Sequence, residues 1–79
     1  MSLVRAYVMV EVEYKFDIDE IKDWFGNHLT PVQVEDIAQE LASYVILGGY
    51  DRGIIRIQKW CFGESFDDMV EHIREYYKE

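Results

Sequence analysis

Hydrophobic residues alternate with other residues from position 3 to position 16, and this pattern predicts a β-strand. One face would carry a row of mostly branched apolar residues: Val4, Ala6, Val8, Val10, Val12 and Tyr14. A period of two with β-branched side chains is typical of a half-buried strand. The opposite face begins with Leu3, Tyr7 and Met9 and becomes charged further along. Because this part of the second face is apolar, we expect it to lie against another surface.

Two helices are predicted after this strand, one short and one long. The first covers residues 17–26, since Asp17 is a good N-cap and Gly26 can end a helix. Its apolar stripe would contain Ile18, Ile21 and either Trp24 or Phe25, with the other aromatic ring half exposed. The second starts at Thr30, where Pro31 and Gln33 complete a capping box. Apolar residues then recur at helical spacing: Val34, Ile37, Ala38, Leu41, Ala42 and Val45.

The last third of the chain predicts a strand over residues 53–62 and a final helix. Residues 44–47 are open to two interpretations. They either pair with this strand through a hairpin loop at 48–53, or they continue the helical stripe to Val45. Ser65 is the expected N-cap of the final helix. Its buried stripe would consist of Phe66, Met69, Val70, Ile73 and Tyr77.

This order of elements predicts a single α+β domain. It would contain a small antiparallel sheet of two or three strands and three helices, in the order β-α-α-(β)-β-α. The 79 residues are enough for one domain only. A hydrophobic fraction of 49% with 15% aromatic residues excludes an intrinsically disordered chain.

Charge narrows the choice of partners. Sixteen acidic and eight basic residues give a formal net charge of −8, which argues against direct binding of nucleic acid or anionic membranes. Residues 17–43 hold seven acids and one base, and residues 64–79 hold six acids and two bases. The predicted helices therefore carry the negative charge. They either have ordinary solvated faces that suit the helix dipole or form an acidic surface for a basic partner.

The final helix shows the acidic pattern most sharply. Its carboxylates step by four, three, four and four residues: Glu64, Asp68, Glu71, Glu75 and Glu79. This spacing puts them along one helical edge, where they repel one another. Such a row can imitate a phosphate backbone and occupy a nucleic-acid-binding groove, as small acidic proteins of phages and mobile elements often do.

No motif in the sequence indicates catalysis, a cofactor or a metal site. His72 follows Asp68 by four residues, but two ligands do not make a metal site. Cys61 lies between two aromatic residues and is expected to act as a small buried hydrophobe. The glycine-containing loop at 48–53 lacks the Lys-Ser/Thr of a phosphate loop. A lone cysteine, no leader-like start and no apolar run of membrane-spanning length predict a non-enzymatic cytoplasmic protein without a membrane segment.

Two hypotheses follow. The first is an adaptor or inhibitor that binds another protein with a basic surface through acidic helical faces. Its expected partner-binding residues are Asp68, Glu71, Glu75 and Glu79, then Glu35, Asp36 and Glu40. The second is a self-associating structural module, a homodimer through Leu3, Tyr7 and Met9.

Overall fold

The alternating segment at the start of the chain contains two paired strands and not one continuous strand. The computed structural model describes residues 2–9, 12–46 and 53–79. In it, β1 (Leu3–Met9) pairs antiparallel with β2 (Val12–Asp17). The prediction of a single strand over 3–16 is therefore wrong. Val10 and Glu11 lie outside the described residues.

The hairpin register explains why the alternation holds across both strands. Val4 lies opposite Phe16 and Ala6 lies opposite Tyr14, and all four are buried. These four even-numbered residues thus face the core, as a side-chain period of two requires. Leu3, Arg5, Tyr7 and Glu13 lie on the outer face of the sheet.

Helices α1 (Ile18–Phe25) and α2 (Pro31–Tyr44) confirm the predicted caps. The Asp17 carboxylate accepts the Asp19 N–H at 2.9 Å, so that β2 passes directly into α1. At the start of α2, the Gln33 N–H donates to Thr30 Oγ1 at 3.2 Å. The Thr30 N–H donates to Gln33 Oε1 at 2.9 Å. These reciprocal bonds satisfy two of the otherwise unpaired N–H groups at a helix start.

The turn between α1 and α2 requires glycine at position 26. Its φ is +134°, a conformation that side chains with a Cβ rarely adopt. A Cβ there would also collide with the His28 ring. The His28 Nε2 lies 2.7 Å from the Tyr77 carbonyl oxygen and so joins this turn to the end of the last helix.

The strand predicted over residues 53–62 is wrong. Ile54 makes only an isolated parallel bridge to Lys15, through the Ile55 N–H donated to the Lys15 carbonyl at 2.8 Å. Ile55 and Ile57 are buried, so the alternation that suggested a strand reflects packing. Further pairing is interrupted because a side chain of α1 takes the next backbone donor. Glu20 Oε1 accepts the Ile57 N–H at 2.9 Å.

The helical part at the end of the chain begins at Lys59, earlier than the sequence predicts. One helical turn, α3 (Lys59–Phe62), and a 3₁₀ turn (Gly63–Ser65) lead into α4 (Phe66–Tyr76). Ser65 occupies the expected N-cap position, but its hydroxyl donates backwards to the Phe62 carbonyl and makes no capping bond to α4. The preceding 3₁₀ turn provides this alternative acceptor.

Residues 44–46 favour the helical interpretation of the junction after α2. Tyr44 is the last residue of α2, and Val45 is its extended C-cap. Ile46 donates its N–H to the Cys61 carbonyl at 2.9 Å, a single contact outside any strand. Leu47 and the loop through residue 52 lie outside the described residues.

The helices cover the inner face of the hairpin, and the α+β class is confirmed. α2 packs on β1, α1 packs on α2 and β2, and α4 packs on α1. The largest fully buried side chains are Phe16, Ile21, Ile37, Leu41, Ile57, Cys61, Phe62, Met69 and Ile73. The observed order is β1-β2-α1-α2-α3-α4, with a two-stranded sheet. Within the described ranges, no helix combines the length and apolar composition that a membrane crossing requires.

Candidate acidic interaction face

Helix α4 turns its acidic edge to solvent because its opposite edge is buried. Its apolar residues, Phe66, Met69, Val70 and Ile73, are buried, and Tyr77 packs partly against the same core. Asp68, Glu71 and Glu75 are all exposed. Their spacing of three and four residues places them on neighbouring turns of one edge. The structure thus brings together the central part of the predicted acidic row.

Helix α2 adds two carboxylates to this side of the molecule. Glu40 Oε1 lies 3.4 Å from His72 Nε2, a contact that joins the exposed edges of α2 and α4. Asp36 lies one turn earlier on the same edge of α2. Burial, followed by the negative charges of Asp36 and Glu40, raises the pKa of Tyr77. We call the five residues Asp36, Glu40, Asp68, Glu71 and Glu75 the acidic face.

Two predicted partner-binding residues do not belong to this face. Glu35 projects from the other flank of α2, where it lines a shallow groove with Asp19 and Lys22. Glu79 lies beyond the end of α4, since the helix ends at Tyr76. The sequence pattern grouped these residues with the others because Glu35 is adjacent to Asp36 and Glu79 continues the regular spacing. Neither feature shows how a helix is oriented or where it ends.

Few cations of the described residues compensate the acidic face. His72 contacts Glu40, and Lys78 lies 3.5 Å from Glu75 at a largely exposed position. Asp36, Asp68 and Glu71 form no ion pair with another described residue. Surface ion pairs of this kind contribute little, about 0–1 kcal/mol. The acidic face is therefore a net negative surface.

A groove lies on the α1 side of α4, next to the acidic face. It has a volume of about 580 Å³ and is lined by Trp24, Phe66, Asp67, Val70, Glu71, Arg74 and Glu75. Phe25 is buried while Trp24 is only partly buried, which confirms the expectation that one of the two rings is half exposed. The adjacency of the two aromatic rings was the only sequence signal for this groove. Its position beside α4 depends on tertiary packing.

The outer face of the hairpin carries the residues predicted for self-association. Leu3 is 40% exposed and Tyr7 is 49% exposed. The side chain of Met9 lies outside the described residues. Arg5 lies 3.5 Å from Glu13, and the Tyr7 hydroxyl donates to Glu13 at 3.0 Å. This hydrogen bond and the negative charge of Glu13 raise the pKa of Tyr7.

The free edge of β1 is partly closed by a side chain. The Tyr7 N–H donates to Gln39 Oε1 at 3.1 Å, and Gln39 Nε2 donates to the Tyr7 carbonyl. The amide of Gln39 thus occupies both backbone groups that a further strand would use. Unpaired strand edges favour pairing with other strands. The Gln39 side chain blocks such pairing at Tyr7 and leaves the part of β1 before Tyr7 open to it.

Among the described residues, the remaining chemically active side chains are not grouped into a second site. Cys61 is buried in α3 and not at a strand end, and burial raises the pKa of its thiol. Trp60 is 61% exposed, and its indole N–H donates to the Gln58 side chain. In the part of the chain that the structure describes, no three His, Cys, Asp or Glu side chains are grouped to hold a metal ion.

Comparison with protein-family models, curated proteins and solved structures finds no significant match to the chain. Its function has to be inferred from its own residues and geometry.

Proposed function

We propose that this chain is an acidic interaction domain that binds a protein with a basic surface, as an adaptor or inhibitor. The observation that supports this most directly is the convergence of carboxylates from two helices on the acidic face. Asp36, Asp68 and Glu71 form no ion pair with another described residue. Complementary charge at such a face accelerates association and selects the partner.

Imitation of a nucleic acid is the most specific form of this proposal. Asp68 and Glu75 are seven residues apart, which corresponds to a rise of roughly 10 Å along a helix. One strand of DNA presents about four phosphates over that length, at roughly 3.4 Å each. Asp68, Glu71 and Glu75 present three carboxylates over the same length. The row therefore approaches the charge density of a short single strand, and a basic protein surface is its natural complement.

A pair of matched charge-reversal variants tests the proposal. Glu71→Lys/Glu75→Lys changes the acidic face, while Asp23→Lys/Glu35→Lys makes the same change of net charge at exposed positions outside it. The tagged proteins would be used to capture proteins from lysate of the source cells, and captured basic proteins would be purified to measure affinity. We expect the wild type and the Asp23→Lys/Glu35→Lys control to bind the same basic partner. The affinity of Glu71→Lys/Glu75→Lys for that partner should be at least tenfold lower.

Ionic strength provides the second part of this test. The Debye length falls from about 10 Å at 0.1 M salt to about 3 Å at 1 M, so binding through the face should weaken steeply over this range. Equal losses for both double variants would show that only net charge matters and would contradict the acidic face. Binding that ignores salt would contradict it as well.

The outer face of the hairpin favours a second candidate function, self-association of the chain. Leu3 and Tyr7 expose apolar surface there, and the helices pack on the opposite side of the sheet. A dimer through this face should be insensitive to salt and should dissociate in Tyr7→Glu. Sedimentation equilibrium of the wild type and this variant measures both. A monomeric wild type at high concentration would contradict self-association.

A further inference from the structure

We propose that the groove between α1 and α4 binds a linear segment of the partner in which a large apolar side chain is flanked by arginine or lysine. This inference rests on the proposed function, because Glu71 and Glu75 belong both to the acidic face and to the groove. It adds a requirement for an apolar anchor that a purely electrostatic surface would not impose.

The floor of the groove is apolar and held in place. Trp24 and Phe66 pack edge to face with ring centroids 5.5 Å apart, and Val70 continues the floor along α4. Arg74 also contacts Trp24. Its Nε donates to the Trp24 carbonyl at 2.9 Å, and its guanidinium lies 5.7 Å from the ring centroid. A preformed aromatic surface in a concave site is typical of the energetic centre of a protein interface.

The groove is lined by three carboxylates and one cation, Arg74, and its rim is therefore net acidic. Asp67, Glu71 and Glu75 line it from α4, and Arg74 forms no ion pair with any carboxylate of the described residues. Lys78 contacts Glu75 alone, at a largely exposed position. Charge complementarity therefore selects a cationic partner and disfavours nucleic acid, whose phosphates the rim would repel.

The spacing of the rim carboxylates sets the spacing of the cations. Asp67 and Glu75 are two helical steps of four apart, a rise of roughly 12 Å. An extended peptide covers that distance in about three to four residues, at roughly 3.3 Å per residue. Two cations separated by four positions would lie over the two ends of the rim. A side chain midway between them would lie over the floor of Trp24 and Val70.

Fluorescence of a single-tryptophan protein tests this arrangement. Trp60→Phe leaves Trp24 as the only indole, and Trp60 is 61% exposed, so its replacement spares the core. The probe is a seven-residue capped peptide with a central leucine, arginines two positions to either side, and serine elsewhere. The matched peptide has serine in place of leucine. At low salt we expect a saturable change in Trp24 emission, with the leucine peptide binding at least tenfold more tightly.

Variants of the rim and of the floor separate the electrostatic contribution to peptide binding from the apolar contribution. In the same background, Asp67→Lys should weaken both peptides, while Glu35→Lys, an exposed reversal on the other flank of α2, should weaken neither. Trp24→Leu/Trp60→Phe, followed by calorimetry, should reduce the preference for leucine. If that variant fails to fold by circular dichroism, the peptide pair and Asp67→Lys still decide the question.

The outcomes distinguish the groove from the acidic face. Equal affinity for the two peptides, or no binding by either, would overturn the groove proposal. The capture experiment with Glu71→Lys/Glu75→Lys would then still decide the acidic face independently. Undiminished affinity of the leucine peptide for Asp67→Lys would also overturn the proposal, because the peptide would then be binding elsewhere.

Discussion

The outer face of the hairpin and the acidic face of α2 and α4 both carry many charged side chains, but these charges are arranged differently. On the hairpin, Glu13 contacts Arg5 at 3.5 Å and accepts the Tyr7 hydroxyl at 3.0 Å. On the acidic face, Asp36, Asp68 and Glu71 form no ion pair with another described residue. The acid of the hairpin face is therefore compensated within the fold, while three of the five acids of the helical face form no ion pair among the described residues.

The comparison shows that net charge alone does not locate a binding surface. An acid near a cation contributes to folding and offers little to a partner, because its field is already compensated. An acid without one raises the energy of the isolated domain slightly and is relieved on binding. A series of single substitutions at Glu20, Glu13 and Glu71 can therefore rank the carboxylates from structural to functional.

Glu20 should cause the largest loss of stability in this series. Its Oε1 accepts the Ile57 N–H at 2.9 Å and its Oε2 contacts Arg56 Nε at 2.9 Å, with only 14% of the side chain exposed. Glu20→Ala removes the acceptor of a partly buried N–H and should cost about 2 kcal/mol in unfolding free energy. Urea unfolding followed by circular dichroism measures this.

Glu20→Gln is the control for this prediction. It keeps an acceptor for the Ile57 N–H and loses only the ion pair with the exposed Arg56, which contributes about 0.2–1 kcal/mol. We expect it to lose clearly less stability than Glu20→Ala. Equal losses would mean that the ion pair, and not the backbone hydrogen bond, holds residues 55–57 on α1.

Glu13 should have a smaller effect on stability, which is present below pH 10.0 and is lost at higher pH. Its carboxylate accepts the Tyr7 hydroxyl and raises the pKa of that phenol above 10.0. Because the folded-state pKa is the higher one, this contribution is present below pH 10.0 and is lost as pH rises through the folded pKa. Glu13→Gln should therefore lower the Tyr7 pKa and flatten the decline of stability above that pH.

Ultraviolet titration of phenolate formation, compared with the same titration of Tyr7→Phe, identifies the Tyr7 step. Tyr77, whose pKa is also raised, is unchanged in both proteins and cancels from the difference. An unchanged Tyr7 titration in Glu13→Gln would show that the hydrogen bond does not control this phenol, and that the hairpin face is not internally compensated as described.

Elements with local signals could be predicted from the sequence. Asp17 and the Thr30–Gln33 capping box placed two helix starts correctly, since these bonds join residues two or three positions apart. The apolar stripes of α2 and α4 were also correct, because helical periodicity directly reports the buried face.

Elements set by distant contacts could not be predicted. The strand expected over 53–62 is interrupted by Glu20, which lies 37 residues from Ile57. The hairpin was missed because residues 9–12 contain no glycine, asparagine or proline, and the alternation runs on without a turn signal. Both errors concern strand pairing, which depends on the partner more than on the strand itself.

The residues of the candidate site also divide into those that the sequence predicts and those that depend on tertiary packing. The row of Asp68, Glu71 and Glu75 follows from residue spacing in one helix. The addition of Asp36 and Glu40 and the exclusion of Glu35 depend on how α2 is rotated against α4. The groove beside Trp24 depends on the packing of α1 against α4 as well, which no local pattern encodes.

Glu71 should have the smallest effect on stability, and its sign is the sharpest test of the comparison. Glu71 lies mid-helix, one turn from the carboxylates of Asp67, Asp68 and Glu75 and from one cation, Arg74, with which it forms no ion pair. Like charges at this spacing destabilise a helix by about 0.2–0.5 kcal/mol per pair. Glu71→Gln should therefore leave the unfolding free energy unchanged or raise it by up to about 0.5 kcal/mol. Urea unfolding at low salt measures this change, and it should disappear at high salt because repulsion between exposed charges is screened.

A clear loss of stability would mean that Glu71 has a structural partner and that the acidic face is compensated like the hairpin face. A gain in stability together with weaker binding of a basic partner would show that this carboxylate contributes to recognition and not to the fold.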